Sequence, residues 1–362
     1  MDVLLPLFFA MQKKYNLKIK VYFTVNKIFH DFNSNKFYKS SFEQLNIKSI
    51  KYQLPNKFDY RDKIIDNKFY KILFKLYFII LKIVKYPLIL PKFFWADFFM
   101  HEYSNQTGST WPLYFFHRFF PKKIFVYIHG QSLNQPPMNP RIVTAADKSI
   151  MLVWHENNIP LVKSMGYKNL YIIGMTKFYS EWINHLDKYN QNKNNNEKFV
   201  LIFTRNPDHK YFMNHDLYKY LLLTSYNVIR KNLGDIKIKI KCHPRENKSF
   251  VNGLISNNNM KNISISNEHA GILSKSAYLA ISFWTSAILD SLSVGTPSVE
   301  FYKEPENFRF IEPKGSMYKK YNFDCVSNEK DLTKFITKVE DGKFNSPKIT
   351  EEFYNFKDIN FL

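Results

Sequence analysis

The sequence predicts an α/β protein built from two doubly wound domains. Two observations predict it. Short apolar runs recur along the chain, each closing on polar or turn-forming residues, with helical stretches between several of them. A polar, asparagine-rich stretch, HLDKYNQNKNNNEK at 185–198, interrupts that rhythm, and the rhythm restarts directly after it. A length of 362 residues is too long for one ordinary core and suits two domains. The expected division is 1–187, a linker at 188–198, and 199–362.

The elements follow in order. MDVLLPLFFAMQKKYN has an apolar run but lacks the basic leader and small-residue cleavage site of a signal peptide. It reads as an opening helix. LKIKVYFTV (17–25) is strand-like. KILFKLYFIILKIVKYPLIL, from Lys71, is interrupted by Lys71, Lys75, Lys82 and Lys85. It therefore falls short of the ~18 uninterrupted apolar residues of a membrane-spanning helix. Helical spacing groups these lysines within an arc of roughly 80°. That pattern suits a helix lying in a membrane interface, and equally a core helix with one solvated stripe.

FFWADFFMHE (93–102), KKIFVYIHG (122–130), KSIMLVWHE (148–156) and KNLYIIGM (168–175) read as strands, each ending in polar residues or glycine. After the linker come KFVLIFTRN as a strand, a helix over 211–232, and DIKIKIKCHPRE. Ile236, Ile238 and Ile240 alternate there with Lys237, Lys239 and Lys241, the period of a strand with one buried face. KNISISN (261–267), AYLAISF (277–283) and TPSVEFY (296–302) are short strands. TSAILDSLSVG (285–295) is a helix that begins at Thr285 and Ser286 and is capped by Gly295.

Composition narrows the function. Lysine and arginine number 52 against 31 acidic residues, a net charge of +21. That invites an anionic partner: nucleic acid, lipid headgroups or a phosphate-bearing substrate. A general bias toward Lys, Asn, Ile, Phe and Tyr also inflates lysine without any partner. The lysines are dispersed and no RRM, KH, zinc-finger or helix-turn-helix signature is present, which argues against nucleic acid. The two cysteines, Cys242 and Cys325, form no CxxC pair and no zinc-spaced cluster. A disulfide scaffold is excluded and a reducing compartment, the cytoplasm, is expected.

In open α/β sheets ligands gather beyond the carboxyl ends of the strands. Three such ends carry chemistry: His243-Pro244-Arg245, then Asn267-Glu268-His269, then Ser282-Phe283-Trp284-Thr285-Ser286. A guanidinium forks onto phosphate oxygens, an imidazole donates to a leaving oxygen, and hydroxyls at a helix start add donors to its free N–H groups. His243, Arg245, Thr285 and Ser286 are therefore the expected phosphate ligands. A capping histidine at a strand end and plain N-capping hydroxyls are the alternatives.

KIKCHPRE followed by LAISFWTSAILDSLSVGTPSVEFY resembles the C-terminal half of GT-B glycosyltransferases of bacterial surface-polysaccharide assembly. The nearest patterns are those of CDP-glycerol glycerophosphotransferases and bacterial sialyl- and Kdo-transferases. KIFVYIHGQSLNQ and AADKSIMLVWHENNIPLVKSMGYKNLYIIGMTKF resemble their N-terminal elements, so the likeness spans about 93–340. The fold's usual opening strand has no counterpart ahead of DVLLPLFFAM. The resemblance implies two Rossmann-like domains facing a cleft (GT-B) and a nucleotide-activated donor of CMP or CDP type. It implies a polysaccharide or lipid-linked acceptor, and no metal or other cofactor. It assigns His243, Thr285 and Ser286 to the donor phosphates and Glu268 to the base or ribose. It makes His129 the base that deprotonates the acceptor, with Glu102 as the second choice and His155 and Glu156 as bystanders. An imidazole near neutral pH suits that task. An anionic membrane surface is a further expected partner, at the inner face of the cytoplasmic membrane. A sugar-nucleotide 2-epimerase has the same fold and its own His-Pro turn. It carries a Ser-Gly-Gly turn where this chain has Phe283-Trp284-Thr285-Ser286, without glycine.

Overall fold

The computed structural model describes residues 4–23, 26–51, 72–73, 76–77, 79–80, 95–102, 119–127, 146–191, 198–207, 213–244, 246–303, 316, 318–319 and 322–344. The N-terminal half opens with helix α1 (Leu4–Tyr15), strand β1 (Lys20–Phe23), helices α2 (Asn26–Ser34) and α3 (Lys36–Gln44), and strand β2 (Lys48–Lys51). Strands β3 (Phe99–Glu102), β4 (Ile124–Tyr127) and β5 (Ile150–Val153) follow, then helix α4 (Ile159–Ser164), strand β6 (Asn169–Ile172) and helix α5 (Ser180–Gln191).

The C-terminal half contains β7 (Phe199–Phe203), α6 (His215–Leu233), β8 (Lys237–Lys241), α7 (Lys248–Asn257) and β9 (Ile263–Ile265). It continues with α8 (Ala270–Ser276), β10 (Leu279–Ser282), α9 (Ile288–Ser293), β11 (Ser298–Phe301), β12 (Cys325–Val326) and α10 (Glu329–Glu340).

These strands form three separate sheets, ordered β1-β2, β3-β4-β5-β6 and β12-β11-β10-β7-β8-β9. Every described pairing is parallel. Parallel neighbours need long crossovers, and described helices supply them between β1 and β2, β5 and β6, β7 and β8, β8 and β9, and β10 and β11. Burial follows the sequence pattern. The all-apolar strand β7 is buried at every position, while β8 buries Ile238 and Ile240 and turns its lysines outward. Lys239 lies over the Phe199 ring at 3.9 Å, so its stem covers the neighbouring strand.

The abundant asparagines do two local jobs. Asn35, Asn214, Asn247 and Asn328 cap α3, α6, α7 and α10 by accepting backbone N–H groups of the first turn. Asn16, Asn46, Asn259, Asn262 and Asn322 take positive φ, which asparagine tolerates better than most residues.

Helix α5 joins the halves, and its last turn includes residues 188–191. Leu186 on it, α1, and Ile272, Ile288, Leu289 and Leu292 from α8 and α9 belong to one apolar cluster. Gly271 sits so close that an added Cβ would stand 3.0 Å from Leu186 Cδ1. Beside it, Phe37 faces His269 at 4.4 Å and His185 at 5.3 Å. His185 Nε2 lies 2.7 Å from the Ser41 hydroxyl, which itself donates to the Phe37 carbonyl. Burial lowers the His185 imidazole to about 4, so it is neutral near pH 7. Cys242 and Cys325 are free thiols, both pushed up to about 12 by burial. Among the described residues no helix is long and apolar enough to cross a membrane.

Candidate active site

Strands β10, β7 and β8 are consecutive in the larger sheet and run in one direction. Their carboxyl ends therefore lie side by side. Thr204 N–H extends the ladder to the Lys241 carbonyl at 3.2 Å, and Phe283 N–H reaches the Phe203 carbonyl at 2.9 Å. This edge brings together the turn after β8, the end of β7 and the turn after β10.

The turn after β8 spans His243, Pro244, Arg245 and Glu246. The His243 carbonyl accepts the Glu246 N–H at 2.9 Å, which closes a β-turn with proline at its second position. The Glu246 side chain then folds back. Its Oε2 accepts the His243 N–H at 2.9 Å and the Thr204 hydroxyl at 2.7 Å, and its Oε1 accepts the Tyr218 hydroxyl. Burial raises the Glu246 carboxyl above its usual range, and the three donors oppose that rise. The turn is fixed from beneath by a buried acid. His243 is half-buried and Pro244 exposed. Arg245 lies outside the described residues.

The turn after β10 is held differently. Trp284 takes φ 50°, a left-handed conformation that a bulky residue rarely adopts. Its surroundings determine it. The Arg205 guanidinium at the end of β7 donates to the Trp284 carbonyl. The indole N–H donates to the Lys303 carbonyl at 3.3 Å, and the ring meets Tyr302 edge-on at 5.2 Å. The Ser282 hydroxyl crosses the turn to the Thr285 carbonyl at 3.1 Å.

The expected helix from Thr285 to Gly295 is shorter than its sequence suggests. Regular helix begins at Ile288, with Ala287 as its N-cap. The carbonyls of Thr285 and Ser286 accept from Ile288 and Leu289, three residues on, a tighter winding than an α-helix. The left-handed Trp284 delays the helix by redirecting the chain just before it. Thr285 is buried and its hydroxyl accepts the Ala287 N–H at 3.4 Å, whereas Ser286 is part-exposed.

Two buried carboxylates brace this region. Asp290 on α9 pairs with Lys177 from the other half of the chain, both side chains under one-tenth exposed. Glu300 on β11 is fully buried and accepts from the Ser316 hydroxyl. Burial pushes its carboxyl up to about 8, opposed by Ser316 and the Arg205 charge.

The remaining expected residues are spread out. Glu268 follows the edge strand β9 and is half-buried, its N–H donating to the Ser266 hydroxyl at 3.3 Å. It is separated from the β10 turn by the width of β8 and β7. Glu102 closes β3 in register with Tyr127. His129 lies outside the described residues. His155 follows β5, and its N–H donates to the Asn158 side chain at 3.0 Å. Sequence reasoning passed over Glu246, Arg205, Lys177 and Asp290. Glu246 was legible three residues after His243, at the closing position of the Pro turn. Arg205 was legible as the basic residue ending KFVLIFTRN. Nothing local marked Lys177 and Asp290, which meet across 113 residues of sequence.

No family profile matches the chain, and no curated protein matches it. Solved structures do. The UDP-GlcNAc 2-epimerase of Methanocaldococcus jannaschii, in complex with UDP-GlcNAc and UDP, is 15% identical with a TM-score of 0.59. That match covers 98% of this chain and 92% of the epimerase. The UDP-N-acetylglucosamine 2-epimerase of Rickettsia bellii is 12% identical with a TM-score of 0.52, over 93% of this chain and 92% of that one. The wall teichoic acid polymerase TagF reaches a TM-score of 0.45 at 14% identity, over 64% of this chain and 62% of that one, too partial a likeness to carry an argument. The chain thus has the α/β fold of these epimerases, two Rossmann-like domains of the GT-B type.

Proposed function

We propose that the chain is a transferase that moves a sugar or polyol phosphate from a nucleotide-activated donor, of CMP or CDP type, to a polysaccharide or lipid-linked acceptor. The observation that carries this reading is the shared edge of β10, β7 and β8, where two braced turns present His243 and Ser286. Donors held rigid before the reaction stabilise a leaving phosphate without reorganising. On this reading His243, Arg245, Thr285 and Ser286 hold the donor phosphates and Glu268 meets the base or ribose. His129 takes the acceptor proton, with Glu102 as its substitute, and basic side chains offset the leaving charge without a metal. The two domains divide within 188–198. The enzyme works in the cytoplasm, at the inner face of the membrane.

A second reading is a sugar-nucleotide 2-epimerase, and the fold likeness favours it. The turn at 283–286 favours transfer, because it lacks the glycines expected of such epimerases.

One experiment separates them. Thermal shifts are measured with CMP, CDP, UDP, GDP and UMP, on the wild type, His243→Ala and Ser286→Ala. The expected outcome is a shift with a cytidine nucleotide that both variants lose while melting normally alone. Transfer falls on the order of 10²-fold in each variant. Incubation with UDP-GlcNAc, followed by NMR, reads inversion at C2, and inversion without an acceptor assigns the epimerase instead. Absence of any nucleotide shift sinks both readings. His129→Ala is expected to abolish transfer and spare nucleotide binding. If Glu102→Gln is the inactive variant, the two residues exchange roles.

A further inference from the structure

On the donor-site reading the phosphates lie between the β10 and β8 turns, and strand order then limits where the base can go. Past β10, toward β11, the carboxyl edge is filled: Trp284 and Tyr302 are buried and meet edge-on at 5.2 Å. Past β8 the next strand is β9, at the border of the sheet, and Asn267 just beyond it is exposed. Neighbouring strands lie about 4.8 Å apart, so the three steps from β10 to β9 cover about 14 Å. An extended nucleoside diphosphate has that reach. The backbone around Asn267 is held on both sides. Ser266 N–H donates to the Ile240 carbonyl at 2.8 Å, Glu268 N–H donates to the Ser266 hydroxyl at 3.3 Å, and His269 caps α8 by accepting the Gly271 N–H at 3.1 Å.

We propose that Asn267, oriented by Lys248, reads the base of the donor and selects cytosine over uracil. The Lys248 ammonium donates to the Asn267 side-chain oxygen. An ammonium accepts no hydrogen bond, so the amide must turn its oxygen toward Lys248 and its NH2 group away. Lys248 is the first residue of α7, directly after the Asn247 cap, where the helix dipole disfavours a cation. The Asn267 oxygen offsets that penalty and gives the lysine one place to point. The amide then presents donors outward and no acceptor. Cytosine carries two adjacent acceptors, O2 and N3, on its pairing edge. Uracil carries N3–H at the same point, so a donor would meet a donor and both would go unpaired. A site built to pair with one pattern rejects the other for that reason. The inference rests on the donor-site reading and adds to it the pair of side chains that sets the base.

The test is calorimetric titration of the full chain with CDP and with UDP, for the wild type, Asn267→Asp and Lys248→Met. Both residues are exposed, so both variants are expected to melt as the wild type does. The wild type is expected to bind CDP on the order of ten-fold tighter than UDP. Asn267→Asp replaces the outward donors with an acceptor for the uracil N3–H and is expected to reverse the preference. Lys248→Met frees the amide to present either end and is expected to bring the two affinities close to parity. A wild type that binds both nucleotides equally, or UDP more tightly, overturns the proposal and leaves the phosphate site standing. Either variant keeping the wild-type ratio overturns it as well. A wild type that binds neither nucleotide overturns the donor-site reading itself, and this inference with it.

Discussion

The Glu246 carboxylate accepts the backbone N–H of His243 at 2.9 Å while its own N–H returns a bond to the His243 carbonyl at the same distance. The pair locks the His-Pro turn from both sides. Because Thr204 and Tyr218 donate to the same carboxylate, the lock also ties β7 and α6 to the turn. Glu246→Ala leaves two buried hydroxyls, of Thr204 and Tyr218, and the part-buried His243 N–H without their acceptor at once. We expect it to cost on the order of 3 kcal/mol in urea unfolding. The nucleotide-induced thermal shift is also expected to vanish. An unchanged shift would mean that the turn holds its shape without its acid.

Arg205→Met tests the second turn. It removes the guanidinium donor from the Trp284 carbonyl and leaves the left-handed Trp284 with less to hold it. The expected loss is about 1–3 kcal/mol of stability. Nucleotide affinity by calorimetry is expected to fall roughly ten-fold, because a relaxed turn no longer presents Ser286 in one position. Stability lost with affinity intact would confine Arg205 to a structural part.

Lys177 and Asp290 form a buried pair across the two halves. Lys177→Met alone leaves the Asp290 carboxylate buried without that cation, and is expected to cost about 3–5 kcal/mol. Lys177→Met/Asp290→Leu removes both charges and is expected to recover most of the loss. Chemical denaturation of the two variants gives the comparison. Equal destabilisation in both would show that the pair adds more than its own charge balance.

Glu300 predicts a pH dependence. Its carboxyl rises from the ordinary glutamate value of 4.5 to about 8 in the fold, because it is fully buried. Between those values the folded state holds a proton that the unfolded chain has released. Stability from this group is therefore complete below about 4.5 and falls as pH rises, levelling above about 8. The slope is about 1.4 kcal/mol per pH unit. Glu300→Gln cannot ionise, and urea midpoints measured across the window should lose that slope. A variant that keeps the wild-type slope assigns the pH dependence to other groups.

The sequence by itself determined the alternation of elements, because burial on a strand is written in consecutive residues. Ile238 and Ile240 face the core for the reason their spacing with Lys237, Lys239 and Lys241 announced. The opening helix, most of the strands and the His243 turn were legible in the same way. β2 was missed because the polar KSIK shows no apolar period, and β12 because two residues carry no period at all. α10 was passed over although Asn328 and the apolar Leu332, Phe335, Ile336 and Val339 mark it. Only the tertiary structure decided what holds the site in shape. Strand order set β7 between β8 and β10, and that adjacency is long-range. Glu246 reads locally as one more charge, and Trp284 as one more core aromatic. Their roles come from Thr204, Tyr218 and Arg205, brought to them by the sheet and its crossover helix. A hydrogen bond between residues 79 positions apart, such as that from Arg205 to the Trp284 carbonyl, leaves no periodic trace in a linear sequence.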